Sequence, residues 1–156
     1  MPKLERLSEA QRNSLLSHNV LSHDSAPWAP LRKALRECAV ALVTTAGVHV
    51  RGDRPFTNAD QTFRMIPSET PTQDIIMSHT SIGFDRTGVY QDLNLVFPVD
   101  RLRDMQVAGE VGQIGPNFYA FLGAQRSYQH LIEQSGPEVG KRLRDEGVDA
   151  VLLTGT

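Results

Sequence analysis

The 156-residue sequence has one cysteine, Cys38, and that scarcity removes two scaffolds at once. A lone thiol closes no intrachain disulfide and builds no cysteine-rich zinc site. Cys38 lies beside an apolar run, so it is expected as a buried structural thiol. Long apolar runs are also missing: none approaches the roughly 20 residues that span a bilayer. The opening Met1-Pro2-Lys3-Leu4-Glu5-Arg6 has no apolar signal-peptide core. Together these predict a cytoplasmic protein with no membrane partner. Charge of one sign is scarce too: sixteen Lys plus Arg against eighteen Asp plus Glu give a formal charge of −2. No block of like charge advertises a nucleic-acid surface. The dinucleotide fingerprint G-x-G-x-x-G, the P-loop and the G-x-S-x-G elbow do not occur, which counts against ordinary nucleotide enzymes and serine hydrolases.

What is present is ordinary globular material, 40% apolar and 22% charged, in a length that suits one domain. Ser8-Glu9-Ala10-Gln11 has the form of a capping box and predicts a helix to about Ser17. The pattern then breaks up over 19–30, where Pro27-Trp28-Ala29-Pro30 reads as a stiff connector. This divides the chain into an N-terminal helix and connector, 1–38, and an α/β domain, 39–156.

Within that domain the first core strand is 39–44, ended by Thr45-Ala46-Gly47. Residues 49–71 read as loop, with a short strand at 62–66. A second core strand is expected at 74–79. Pro98 opens a helix that places Val99, Leu102 and Met105 on one face. A strand is expected at 117–122, then a helix at 124–134 with Leu131 and Ile132 inward. Ser135-Gly136-Pro137 is expected to cap a final helix containing Val139 and Leu143, with Gly147 as its left-handed C′ residue. A buried last strand follows at 149–154. The alternation predicts an α/β fold: a single domain, three-layered, with an open, mainly parallel sheet flanked by helices.

In such a sheet, reactive groups gather beyond the carboxyl ends of the strands. Three strand ends deliver polar or small residues there: Thr44, Thr45, Gly47 and His49; then Ser78, His79, Thr80 and Ser81; then Thr154, Gly155 and Thr156. His79 is the candidate acid/base, and Asp85 or Asp92 would orient it or hold a cationic substrate amine. Thr44, Thr45, Gly47, His49, Asn94, Thr154, Gly155 and Thr156 are the expected substrate cradle. Asp and Asn also form turns and caps, so each carboxylate has a purely structural reading beside the chemical one. His49, His79, Asp85 and Asp92 are suitable metal ligands by type, but no H-x-x-x-H or H-E-x-x-H spacing supports a centre, and none is expected.

Several words in order carry a resemblance. They are Ala41-Leu42-Val43-Thr44-Thr45-Ala46-Gly47, Arg51-Gly52-Asp53, Ser78-His79, Phe84-Asp85-Arg86, Gln91-Asp92-Leu93-Asn94, Phe97-Pro98-Val99-Asp100-Arg101-Leu102 and Gly147-Val148-Asp149-Ala150-Val151-Leu152-Leu153. Over 39–156 the chain resembles the selenoprotein B family, which includes the B-type subunits of glycine, sarcosine and betaine reductases and of D-proline reductase, and short stand-alone relatives.

The resemblance implies a selenol- or thiol-dependent reductase whose full-length form cleaves C–N bonds of small amines or amino acids. It places a selenocysteine or cysteine immediately after Thr156, where a UGA codon read as a stop would end the chain, and it implies that these residues alone are inactive. No cofactor is expected within the chain itself. The implied partners are a small amine or amino-acid-like substrate, a thiol reductant protein or a reductase partner subunit; in the larger family complexes a separate subunit supplies a pyruvoyl group. A homo-oligomer is also compatible. Two other readings stay open: a non-catalytic small-molecule-binding or accessory subunit, and a metal-dependent hydrolase.

Overall fold

The computed structural model describes residues 3–17, 25, 29–125 and 127–155. It forms two compact units, Met1–Pro30 and Leu31–Thr156. In the first, helix α1 spans Glu9–Leu16. Its capping box is in place, the Ser8 hydroxyl accepting from the Gln11 N–H while the Gln11 side chain accepts from the Ser8 N–H. The connector tryptophan, Trp28, and the histidines His18 and His23 lie outside the described residues.

The second unit is built on β1, Ala39–Thr44. Its unbroken apolar sequence suits a strand buried on both faces, as the centre of a parallel sheet demands. Strands β5 (Gln113–Ile114) and β6 (Asn117–Ala120) run parallel to it, one after the other along one side. On that side the carbonyls of Cys38, Val40 and Thr44 accept from Gln113, Gly115 and Phe121. Strand β7, Ala150–Thr154, runs parallel along the other side, registered from Val40↔Ala150 to Thr44↔Thr154. Strand β3, Arg64–Pro67, pairs antiparallel with β6. The result is the expected α/β fold with a mixed, mainly parallel sheet flanked by helices.

Helix α3 spans Val99–Val107 and buries Val99 and Leu102, with Met105 partly buried against the same core. Phe97 meets Phe118 edge-on beside it, ring centroids 5.6 Å apart. Helix α4, Gly136–Asp145, buries Val139 and Leu143 and ends at Gly147, whose φ of +74° is the left-handed conformation expected there. Cys38 is fully buried, its thiol 3.3 Å from the Ala34 carbonyl, as the sequence predicts. No helix among the described residues is long and apolar enough to cross a membrane.

Several expectations fail for local reasons. The strand at 74–79 is shorter, β4 at Ile75–Met77, and stands outside the main sheet: it pairs antiparallel with β2, Val48–Val50, in a separate ribbon. The helix expected at 124–134 does not form as such, because Ala124 adopts φ +54°. A π-turn at Leu131–Ser135 instead runs straight into α4, so Ser135 is helical rather than a cap, and its hydroxyl donates to the Gln61 carbonyl at 2.8 Å. Leu131 packs on the core, but Ile132 is exposed. The last strand, read as buried, leaves Val151, Leu152 and Leu153 exposed.

Candidate functional site

The carboxyl ends of β1 and β7 are fastened to the loop ahead of α3. Thr44 is fully buried; its hydroxyl donates to the Val96 carbonyl at 2.9 Å and accepts from the Ala46 N–H at 3.1 Å. Thr154, its register partner, donates to the same Val96 oxygen at 2.8 Å. One residue on, the Thr45 N–H donates to the Thr154 carbonyl at 3.0 Å, and a Cβ on Gly155 would stand 3.9 Å from the Thr45 hydroxyl oxygen.

Beyond Thr45 the chain leaves the sheet at Gly47. Its φ of +66° is a conformation that favours glycine, and a Cβ there would come within 3.2 Å of the His79 Cα. The Gly47 carbonyl accepts from the Ser78 N–H at 2.9 Å, which extends the pairing of the ribbon into the turn that follows β1. Ser78 and His79 thus lie beside Gly47, but β4 reaches that point from the separate ribbon and not from the sheet.

His79 is 5% exposed and its ring lies 4.9 Å from that of Phe84. The Ser81 N–H points at its Nδ1 at 3.2 Å, and an N–H donates, so Nδ1 is the acceptor and the neutral ring carries its proton on Nε2. Burial pushes the His79 pKa below its ordinary value, and the nearby Arg86 guanidinium adds to the shift. Arg86 donates from Nη2 to the carbonyls of His79 (2.7 Å) and Ser81 (3.1 Å), clasping this turn. The site therefore presents a neutral imidazole suited to donate a hydrogen bond.

The two candidate carboxylates are engaged locally. Asp85 accepts from the Thr87 N–H at 2.9 Å, and Asp92 accepts from both the side-chain amide and the backbone N–H of Asn94 at 2.9 Å. These bonds hold both carboxyls below the usual carboxylate range, so both are ionised at neutral pH. Asn94 also donates to Asp100 at 3.0 Å and accepts the Asp100 N–H at 2.9 Å, which fixes the start of α3 and the Val96 carbonyl two residues on.

His49 belongs to the ribbon, opposite Ile76 in β4, and is 1% exposed. Its Nδ1–H donates to the Val50 carbonyl at 3.0 Å, and its buried Nε2 has no partner among the described residues. Thr156 lies outside the described residues. A groove of about 300 Å³ runs beside β4 and α2 (Thr87–Gln91), lined among others by Arg51, Ile75, Met77, Tyr90 and Leu93. Among the described residues no group of three or more His, Cys, Asp or Glu side chains is placed to hold a metal ion.

Sequence reasoning missed two participants. The Val96 carbonyl is a backbone group and carries no signature. Arg86 was visible in the polar segment, but a clasp on two carbonyls depends on a turn that spacing does not reveal.

Comparison with known proteins places the chain in a family. The model of the family described as glycine/sarcosine/betaine reductase selenoprotein B matches residues 17–156. The chain is 40% identical over 128 residues to the D-proline reductase subunit gamma of Acetoanaerobium sticklandii, a match covering 81% of this chain and 52% of that protein. It is 31% identical over 138 residues to the glycine reductase complex component B subunit gamma of Carboxydothermus hydrogenoformans, covering 85% of this chain and 31% of the relative. It is likewise 31% identical over 137 residues to the sarcosine reductase complex component B subunit beta of Peptoclostridium acidaminophilum, again 85% of this chain and 31% of the relative. The chain thus spans about half of the first relative and about a third of the other two. No solved structure matches significantly.

Proposed function

The chain belongs to the glycine/sarcosine/betaine reductase selenoprotein B family, and from that premise we propose that it is part of a selenol- or thiol-dependent reductase acting on C–N bonds of small amines or amino acids. The observation that supports this reading is a coincidence of place. Thr154 and Gly155 stand at the carboxyl end of a parallel strand beside Thr44 and Thr45. That is where α/β enzymes carry their reactive groups. The redox residue, selenocysteine or cysteine, falls immediately after Thr156 in this reading, and the 156 residues alone are inactive.

A chalcogenolate at that position supplies the nucleophile and the reducing electrons. The chain's own residues supply positioning, a hydrogen bond and negative charge. The Val96 clamp fixes the ends of β1 and β7 relative to one another. His79, neutral with its N–H on Nε2, donates a hydrogen bond to the departing nitrogen, whose proton comes from solvent. Asp85 and Asp92 attract a cationic amine to the polar loop. A reductase partner subunit and a thiol reductant protein complete the reaction, consistent with relatives that are themselves named as subunits.

The test is dithiol-dependent C–N cleavage by the protein carrying selenocysteine or cysteine after Thr156, offered glycine, sarcosine, betaine and D-proline in turn with the partner subunits of the related complexes. Cleavage of one of them is expected, abolished by serine at the redox position and slowed by roughly 10²–10³ in His79→Ala, which removes the hydrogen-bond donor. No cleavage of any of these compounds would overturn the reading.

A further inference from the structure

Strand β7 carries apolar side chains on both faces and leaves them bare. Its register with β1 sets Leu152 beside Leu42, on the face shared with Thr44 and Thr154, whereas Val151 and Leu153 lie beside Ala41 and Val43 on the other. Ala41 and Leu42 are fully buried in β1, while Val151, Leu152 and Leu153 in β7 are 38%, 45% and 73% exposed. Among the described residues β7 pairs with β1 alone, so its outer edge is unpaired as well.

The opposite edge of the sheet is managed differently. In β3 buried and exposed residues alternate, and the strand ends in Pro67, which has no N–H to offer a neighbour. An Ala-Val-Leu-Leu-Thr strand has no such protection. Its composition suits the interior of a parallel sheet, covered by helices above and below.

We propose that β7 is an internal strand of a larger sheet, completed by the polypeptide that makes up the rest of the relatives' length. This rests on the family reading of the chain. A second copy of this chain fits the surface less well: two β7 strands paired edge to edge satisfy each other's backbone but add no layer over Leu152 or over Val151 and Leu153. The occupant must bring a strand and covering helices. The part of the D-proline reductase subunit gamma outside the match, about half of that protein, has the length to do so.

The test compares Leu153→Lys in this chain with the same substitution at the aligned position of the intact D-proline reductase subunit gamma, using Val107→Lys as the exposed control in both. In this chain Leu153→Lys should leave the melting temperature within about 2 °C and reduce binding of a hydrophobic dye, because the side chain faces water. In the intact relative it should lower the melting temperature by more than about 5 °C, with the control unchanged in both. Equal tolerance in the two proteins would overturn the proposal. So would a concentration-dependent dimer of this chain that Leu153→Lys dissolves, which would assign the surface to a second copy. Neither readout involves the redox residue or activity, so a failed reductase assay leaves this test standing and a tolerant Leu153→Lys leaves the reductase reading standing.

Discussion

Thr44 and Thr154, register partners at the carboxyl ends of adjacent parallel strands, donate their hydroxyls to one acceptor, the Val96 carbonyl, at 2.9 and 2.8 Å. A carbonyl oxygen has two lone pairs, and both are used here. The arrangement holds the end of β7 to the end of β1 through a third segment, so the backbone that leaves β7 departs from a fixed point. A reactive group placed there inherits that fixity, which is what precise positioning of a nucleophile requires.

Thr44→Val should destabilise the unit by about 1–3 kcal/mol, because it strips the buried Ala46 N–H of its acceptor as well as removing one donor to Val96. Thr154→Val should cost less, since its residue is only partly buried. Urea denaturation of the two single variants and the double variant checks this, and the double-mutant cycle should show non-additivity because both hydroxyls share an acceptor.

Gly47→Ala should cost more than about 1 kcal/mol, since φ is +66° and the new methyl would press on the His79 Cα at 3.2 Å. The effect should reach the imidazole itself, seen as a changed His79 chemical shift and titration in NMR spectra of Gly47→Ala, while alanine at the unobstructed Gly52 leaves His79 unchanged.

His79 titrates below the ordinary histidine value, so the folded state favours its neutral form. The stability this contributes is complete above the unfolded-state value of about 6.5 and is lost as pH falls through the lower folded-state value. Urea midpoints should therefore decline on acidification from pH 7 toward 5, with a shallower decline in His79→Gln. Asp85 and Asp92, shifted down from 3.8, add their own loss only near and below that value, which separates the two effects. Arg86→Gln should raise the His79 pKa measured by NMR, because it removes the neighbouring positive charge.

The loop before β3 hangs on a buried ion pair. Arg64 donates to the Asp60 carboxylate at 2.8 Å, to the carbonyls of Arg54, Pro55 and Phe63 and to the Thr62 hydroxyl, with its guanidinium 4.2 Å from the Phe56 ring centroid. Burial alone would raise the Asp60 pKa, but bonds from Thr62 and Arg64 outweigh it and lower the value. Asp60→Ala leaves that guanidinium buried without its counter-charge and should cost about 3–5 kcal/mol in thermal or urea denaturation.

Much of this was legible in the sequence, and for identifiable reasons. Strand β1 occurs with the bounds that its apolar run predicts, and α3, Gly147 and the capping box of α1 follow their local signals. The misplaced pieces depend on distant partners. Ile75–Met77 reads as a core strand, yet its partner is Val48–Val50, three residues too short to announce themselves beside a glycine turn. The exposure of Leu152 and Leu153 could not be read from their chemistry, which describes a buried strand. In the site, the pairing of Thr44 with Thr154 followed from the parallel register, whereas His79 reaches Gly47 from a ribbon that the sequence did not announce. The tautomer of His79 and the clasp of Arg86 required the turn that joins them.

The central claim is that the strand held by Thr44, Thr154 and Val96 delivers the chain to its redox residue. The most direct measurement is the identity of the residue that follows Thr156, by sequencing the codon after it and by mass spectrometry of the protein made in its native host. The prediction is selenocysteine encoded by UGA, or cysteine. A different residue at that position, or a stop codon other than UGA, would contradict the account.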